Sequence, residues 1–314
     1  MKYENRKAII DCGTNTFHLL IVDTLPNDRF TVVHKEKQVV KISAGCIQQN
    51  IIPKEGIERA LKTLSNFRET IDSFHVISVT ATATSAFRNA TNGQKTADFL
   101  YEKTAIKINI IDGTKEATLI YNAVSKAITL TNDYHLIMDI GGGSVEFILC
   151  NKKGIKWLKS FEIGGQRLLE KFHLSDPISQ EDTTRLNTFL DDSLQELFNV
   201  CKTYQPTSLL GASGSFDTLS EIYYELSGEY FDENETLSFN LPIDYTLKII
   251  DDIVSKTRAE RLEIKGMIPM RVDMIVVAGL LVKEVVTKID FKKITTTSYA
   301  LKEGLLFTPS FEAL

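Results

Sequence analysis

No two cysteines of this 314-residue sequence stand at metal or redox spacing. Cys12, Cys46, Cys150 and Cys201 are scattered, without a CxxC pair or a histidine cluster. That leaves no zinc or dithiol motif and is the pattern of buried apolar thiols in a reducing compartment. Long hydrophobic runs are missing too. The longest, IVVAGLLV at 275–282, is far shorter than the roughly 20 residues a membrane helix needs. The opening MKYENRKAIID lacks the apolar core of a signal peptide. Nor is there an excess of positive charge. A formal net charge of -5 argues against a general nucleic-acid or membrane-surface binder. A polyanionic substrate would need a local basic groove, which total charge does not reveal. These absences lead to the expectation of a soluble, cytoplasmic protein.

What is present is an ordinary globular composition, 43% hydrophobic and 25% charged, in a chain long enough for two domains. Its most informative feature is an internal repeat. KAII-Asp11-CGTNT-FHLLIVD returns as HLIM-Asp139-IGGGS-VEFILC. Each copy is an apolar run, an Asp, a turn of small residues and a second apolar run, which reads as a β-hairpin. Two such hairpins, each opening its own α/β stretch, imply two structurally related halves.

After the first hairpin, 30–43 alternates like a third strand. The segment 53–71 is expected to be a helix, with Pro53 in its first turn and Ile57, Leu61, Leu64, Phe67 and Ile71 along one face. Segments 75–84 and 106–112 read as strands, the first running into a Ser/Thr-rich loop, and 115–128 as a helix. In the second half, 154–164 is expected as a strand, 179–204 as one long helix and 207–215 as a strand entering a glycine turn. A helix over 244–257 and a strand followed by a last helix over 291–306 complete the reading. Each half is therefore α/β with a mixed sheet led by a meander. The expected domains are 1–122, with a C-terminal helix at about 300–314 packing back on it, and 123–299.

Phosphate oxygens need many donors close together. Glycine lets backbone N–H groups converge on one anion, and Ser and Thr hydroxyls add further donors. The segments 12–16, 140–144 and 211–215 all have this composition and all follow apolar strands. The candidate phosphate-binding residues are Thr14, Asn15 and Thr16 in the first, Gly141, Gly142, Gly143 and Ser144 in the second, and Ser213, Gly214 and Ser215 in the third. A carboxylate beside such a turn would repel a bare phosphate, so Asp11 and Asp139 suggest a bridging Mg²⁺. An Asp that only hydrogen-bonds its own turn is the alternative. Two glutamates read as the catalytic pair. Glu146 follows the second turn, on the same strand face as Ser144. Glu116 opens a helix, where a carboxylate could polarise an attacking water; position alone favours a helix-start residue that complements the dipole.

DCGTNTFHLLIVD, TATATSAFRNA, DGTKEATLI, DIGGGSVEF, IGGQRLLEKF, GASGSFDTL, PMRVDMIVVAGLL and SYALKEGLL occur in that order over nearly the whole chain. This series resembles the successive signatures of the exopolyphosphatase/guanosine pentaphosphate phosphatase family. The resemblance implies two ribonuclease-H-like domains of the actin, heat-shock chaperone and sugar-kinase superfamily, facing a central cleft. It also implies Mg²⁺-dependent removal of a terminal phosphate by water, from inorganic polyphosphate or from guanosine pentaphosphate. Glu116 matches the family's catalytic glutamate, Asp139 and Glu146 its metal- and water-handling carboxylates, and Arg88 a phosphate-holding arginine. Three positions depart from the pattern. Lys115 replaces the first glutamate of a Glu-Glu-Ala motif, Lys302 stands where arginine is frequent, and His18 occupies a position that is often arginine. Long family members continue into a helical HD-type region after the second half; the expectation here is the short, two-domain form. Homodimers are frequent in the family, although no surface stripe in the sequence demands one. A sugar or acid kinase of the same superfamily and a non-hydrolytic polyphosphate or alarmone sensor are the competing classes.

Overall fold

The computed structural model describes residues 5–26, 29–229 and 237–308. The ends of the expected domains, 1–4 and 309–314, lie outside these residues. Contacts divide the chain into two units, Met1–Leu119 with Leu301–Leu314, and Ile120–Ala300.

The first unit opens with the strands β1 (Arg6–Cys12), β2 (Thr16–Leu25) and β3 (Arg29–Val39). Helix α1 (Lys54–Ser73), strand β4 (Ser78–Ala83), helices α2 (Ser85–Asn89) and α3 (Gly93–Thr104), and strand β5 (Ile108–Ile110) follow. Helix α4 (Gly113–Ala127) carries the chain across the division. The sheet order is β3-β2-β1-β4-β5, an antiparallel meander to which β4 and β5 add in parallel. Its core gathers Ile10, Phe17, Leu19, Ile21, Phe67 and Phe87. Each such side chain contributes about 1.5–3 kcal/mol through burial.

The second unit repeats the plan with β6 (His135–Ile140), β7 (Val145–Asn151) and β8 (Gly154–Phe161). It continues through helices α5 (Gly165–Phe172), α6 (Gln180–Ser193) and α7 (Gln195–Tyr204), then strand β9 (Ser208–Ala212) and helix α8 (Ser213–Ser227). Strand β10 (Ser238–Leu241), helices α9 (Ile243–Ser255), α10 (Arg258–Leu262) and α11 (Met274–Lys288), and strand β11 (Lys293–Thr297) complete it. Its sheet order, β10-β11-β9-β6-β7-β8, is the same arrangement plus one antiparallel strand. Every residue of β6 and β7 is buried, as expected of central strands covered on both faces. Helix α12 (Leu301–Leu306) returns to the first unit, where Gly304 packs against the Leu119 carbonyl.

The duplicated α/β plan with two mixed sheets agrees with the sequence repeat; several local expectations do not hold. The stretch 179–204 is two helices, broken at Leu194, rather than one. The Ser/Thr-rich segment after β4 starts a short helix at Ser85 instead of a loop, and α3 was not anticipated. Pro53 is the N-cap of α1, outside its first turn. GASGS is no turn. Gly211 ends inside β9 beneath the Phe216 ring, and α8 begins at Ser213 without an intervening loop. Among the described residues, no helix is long and apolar enough to cross a membrane.

Candidate functional site

Strand register makes the two hairpins copies of one another. In the first, Asp11 lies opposite His18 and Cys12 opposite Phe17. In the second, Asp139 lies opposite Glu146 and Ile140 opposite Val145. Each tip is closed by the same bond, Gly13 N–H to the Thr16 carbonyl at 3.1 Å and Gly141 N–H to the Ser144 carbonyl at 3.0 Å. A Cβ on either glycine would stand 3.0 Å from that carbonyl oxygen, so the close turn calls for glycine in both copies. The copies differ in charge, because only the second opposes one carboxylate with another.

Both turns have their carbonyls occupied by the chain that follows. Gly164, Gly165 and Gln166 donate backbone N–H groups to the carbonyls of Gly143, Gly141 and Gly142 at 3.1, 2.9 and 2.8 Å, and Arg167 Nε adds a bond to Gly143 at 3.0 Å. In the first unit Val40 and Lys41 donate to the Asn15 carbonyl and Ile42 to that of Thr14. Among the described residues, the N–H groups of Gly142, Gly143 and Ser144 have no protein acceptor. A short run of unspent N–H donors with its carbonyls held elsewhere is an anion-binding concavity.

Asp139 and Glu146 are both buried, at 5% and 1% exposure. Two carboxylates directly opposite repel unless a donor or cation sits between or beside them. Ser160 supplies such a donor, its Oγ donating to Glu146 Oε1 at 2.6 Å. The same two carboxylates suit Mg²⁺, which commonly takes one or two protein carboxylates and completes its shell with water and substrate phosphate. Among the described residues there is no cluster of three or more His, Cys, Asp or Glu able to hold a metal.

The parallel pairing of β6 with β9 sets Asp139 beside Ala212, immediately before Ser213. Ser213 adopts a left-handed φ of 64°, the strain of passing from strand to helix without a loop. Next to it sits a group that sequence reading did not assign. The Arg271 guanidinium lies so close over Gly214 that a Cβ there would meet it at 1.5–1.7 Å. Its Nη1 is 3.7 Å from Asp217 Oδ2 and has no hydrogen-bond partner, and the buried Ser215 Oγ has none either. Burial pulls Arg271 below its ordinary pKa, while the charges of Asp217 and Asp139 pull it back up. An arginine placed this way, at the N-terminus of a 15-residue helix, is suited to an anion. The only hint in the sequence is a lone arginine ahead of the apolar run in PMRVDMIVV.

In the first unit, Phe87 stacks near Phe17 with ring centroids 6.5 Å apart, which ties α2 to the first hairpin. Arg88 then reaches α4, where its Nη1 donates to Glu116 Oε2 at 2.8 Å and to the Ile111 carbonyl at 3.1 Å. Glu116 is 6% exposed. The start of α4 is capped instead by Asp112, whose Oδ1 accepts the Lys115 N–H at 2.8 Å. Glu116 is thus a buried, arginine-paired carboxylate rather than a solvated helix-start residue. Thr16 Oγ1 and His18 Nε2 are 3.0 Å apart. In the first unit Asp11, Thr14, Asn15 and Thr16 belong to the hairpin itself, while Arg88 and Glu116 are paired with each other beside Ile111. The second assembles Asp139, Gly141, Gly142, Gly143, Ser144, Glu146, Ser213, Gly214 and Ser215.

Two carboxylate-led, glycine-tipped hairpins on duplicated mixed sheets define a protein of duplicated α/β architecture. Residues 20–310 match the model of the Ppx/GppA phosphatase family, and the chain belongs to that family. A curated relative, the bifunctional 3-dehydroquinate synthase/phosphatase of Fusobacterium nucleatum, is 33% identical over 298 residues, 90% of this chain. This match spans 44% of that protein, so the chain corresponds to less than half of it. The crystal structure of an exopolyphosphatase from Cytophaga hutchinsonii is similar at 42% identity and a TM-score of 0.92, covering 96% of this chain and 97% of that one. The Aquifex aeolicus PPX-GPPA enzyme shares the fold at 21% identity and a TM-score of 0.78, over 96% and 98% of the two chains.

Proposed function

We propose that this chain is a Mg²⁺-dependent phosphohydrolase that releases terminal phosphate from inorganic polyphosphate. The observation that carries the reading is the Gly141–Ser144 turn, with unspent N–H donors beside the opposed carboxylates Asp139 and Glu146. Membership of the Ppx/GppA family supports a phosphatase, and the similarity to an exopolyphosphatase puts polyphosphate ahead of guanosine pentaphosphate.

In this reading the turn N–H groups, with Arg271 and the N-terminus of α8, hold phosphate oxygens and offset the charge that builds in the transition state. Thr14, Asn15 and Thr16 serve the same purpose in the first unit. Mg²⁺, which Asp139 with Glu146 would hold in the second unit, would neutralise phosphate charge and orient the substrate, and Asp11 is the corresponding metal-directed carboxylate of the first unit. Glu116, held by its ion pair with Arg88, takes a proton from a water as the water oxygen bonds to the terminal phosphorus. The phosphoanhydride P–O bond breaks, and the shortened chain leaves with the bonding electron pair. Arg88 acts on the phosphate through this pair with Glu116 and by its own charge.

Phosphate release from polyphosphate, guanosine pentaphosphate and ATP, measured in parallel with Mg²⁺, tests the assignment. Polyphosphate is expected to be the preferred substrate. Faster turnover of guanosine pentaphosphate would transfer the assignment to the alarmone. No release from any of them, with binding retained, would favour a sensor.

A further inference from the structure

Across the three meander strands, one row of side chains occupies the same place in each unit. In the first unit the registered row is Asp11, His18 and Lys37. In the second it is Asp139, Glu146 and Ser160. The first row balances its one carboxylate with an imidazole and an ammonium. The second sets two buried carboxylates side by side and ends in a hydroxyl. Glu146 has three side-chain torsions and a carboxylate neighbour that repels it, so its own preference would be to swing away. The 2.6 Å bond from Ser160 Oγ fixes one of its oxygens from the opposite side to Asp139.

We propose that Ser160 is a positioning residue for the phosphohydrolase reaction, holding the Glu146 carboxylate in its working orientation. The inference rests on the hydrolase reading above. Ser160 lies in β8, one strand away from the phosphate turn, and touches none of the turn's glycines in the hydrogen-bond pattern. It acts through Glu146, as outer hydrogen-bond partners of metal-handling carboxylates do. Its register position alone brings it there, because a shift by one residue would present Lys159 or Phe161 instead.

The isosteric pair Ser160→Thr and Ser160→Val separates the hydroxyl from packing, since both side chains are β-branched and suited to a strand. The threonine variant is expected to keep kcat within about threefold. The valine variant is expected to lose roughly 10–100-fold in kcat, with KM within about threefold. Thermal midpoints of the two variants, measured alongside, should agree. Valine at wild-type kcat would overturn the proposal, as would equal losses in both variants. If the wild-type chain releases phosphate from no substrate, the hydrolase reading falls separately. Crystal structures of the wild type and Ser160→Val then decide the positioning claim: a carboxylate that has turned supports it, and one that has not moved overturns it.

Discussion

Gly164→Ala is the sharpest perturbation the structure offers, because it strikes the Gly141–Ser144 turn without touching a proposed catalytic group. A Cβ at this position would stand 2.4 Å from the carbonyl carbon of Gly143 and 2.5 Å from both the Gly142 carbonyl carbon and the Ser144 nitrogen. Carbon contacts are comfortable near 3.5–4.0 Å, so the turn or the Gly164 backbone must yield by about 1 Å. Both partners are main chain, and neither can swing aside. Overpacking of this kind costs about 1–3 kcal/mol. For a unit of this size each kcal/mol lowers the melting midpoint by about 2–4 °C, so a fall of roughly 2–12 °C is expected. Displacing the donors by about 1 Å should cost on the order of 100-fold in turnover. Gly165→Ala is the matched control. The three atoms nearest its Cβ all belong to the Met274 side chain, at 2.6, 2.8 and 3.8 Å, and that flexible thioether can move away. Calorimetry and phosphate release on the two variants decide the matter. If Gly164→Ala melts and turns over like the wild type, the turn is not held as described. Equal damage from both glycines would show that it is the helix start, not the turn, that matters.

Other consequences are open to simple assays. Arg271→Met should raise KM about 10–100-fold, the worth of a charge-assisted hydrogen bond of about 1.5–3 kcal/mol, and an unchanged KM would remove Arg271 from the anion site. Excess chelator should stop phosphate release and added Mg²⁺ restore it; full turnover in chelator would rule the cation out. Burial lowers the pKa of His135, with Lys293 adding to it against Asp133, and burial likewise lowers His173, with Arg261 adding to it against Asp176, Asp273 and Asp182. The unfolded chain gains these protons near pH 6.5 while the folded chain resists them, so it binds more protons below that pH and stability falls on acidification. Denaturant midpoints should drop from pH 7.5 to pH 5.5, and His135→Gln should reduce the drop; an equal drop in that variant would contradict the assignment.

The hairpins could be read from sequence because a tight tip between two sheet strands admits few residue types, and the chain meets that demand twice. The same compositional signal misled over the geometry of GASGS, where a strand runs straight into a helix without a turn. Gly211 is small to admit the Phe216 ring and Gly214 to admit Arg271, so these are packing glycines at a strand-to-helix junction. The break at Leu194 was invisible because Leu186, Leu190, Leu194 and Leu197 keep a helical spacing through it, and all four are buried. Glu116 illustrates a different limit. Position in a helix cannot distinguish a dipole-favoured glutamate from one buried against Arg88, whose side chain arrives from 28 residues away. Arg271 and Ser160 owe their interest wholly to tertiary neighbours, Gly214 in one case and a strand register in the other.

The central claim, that Glu116 prepares water for attack on a terminal phosphate, is tested most directly by Glu116→Gln. Glutamine keeps the shape and an oxygen for Arg88 but cannot accept the proton. Single-turnover phosphate release and equilibrium binding of polyphosphate should be measured on the same preparation with Mg²⁺. The account predicts a fall of about 10²–10⁴-fold in release with affinity within a few-fold of the wild type. Release at the wild-type rate would contradict it.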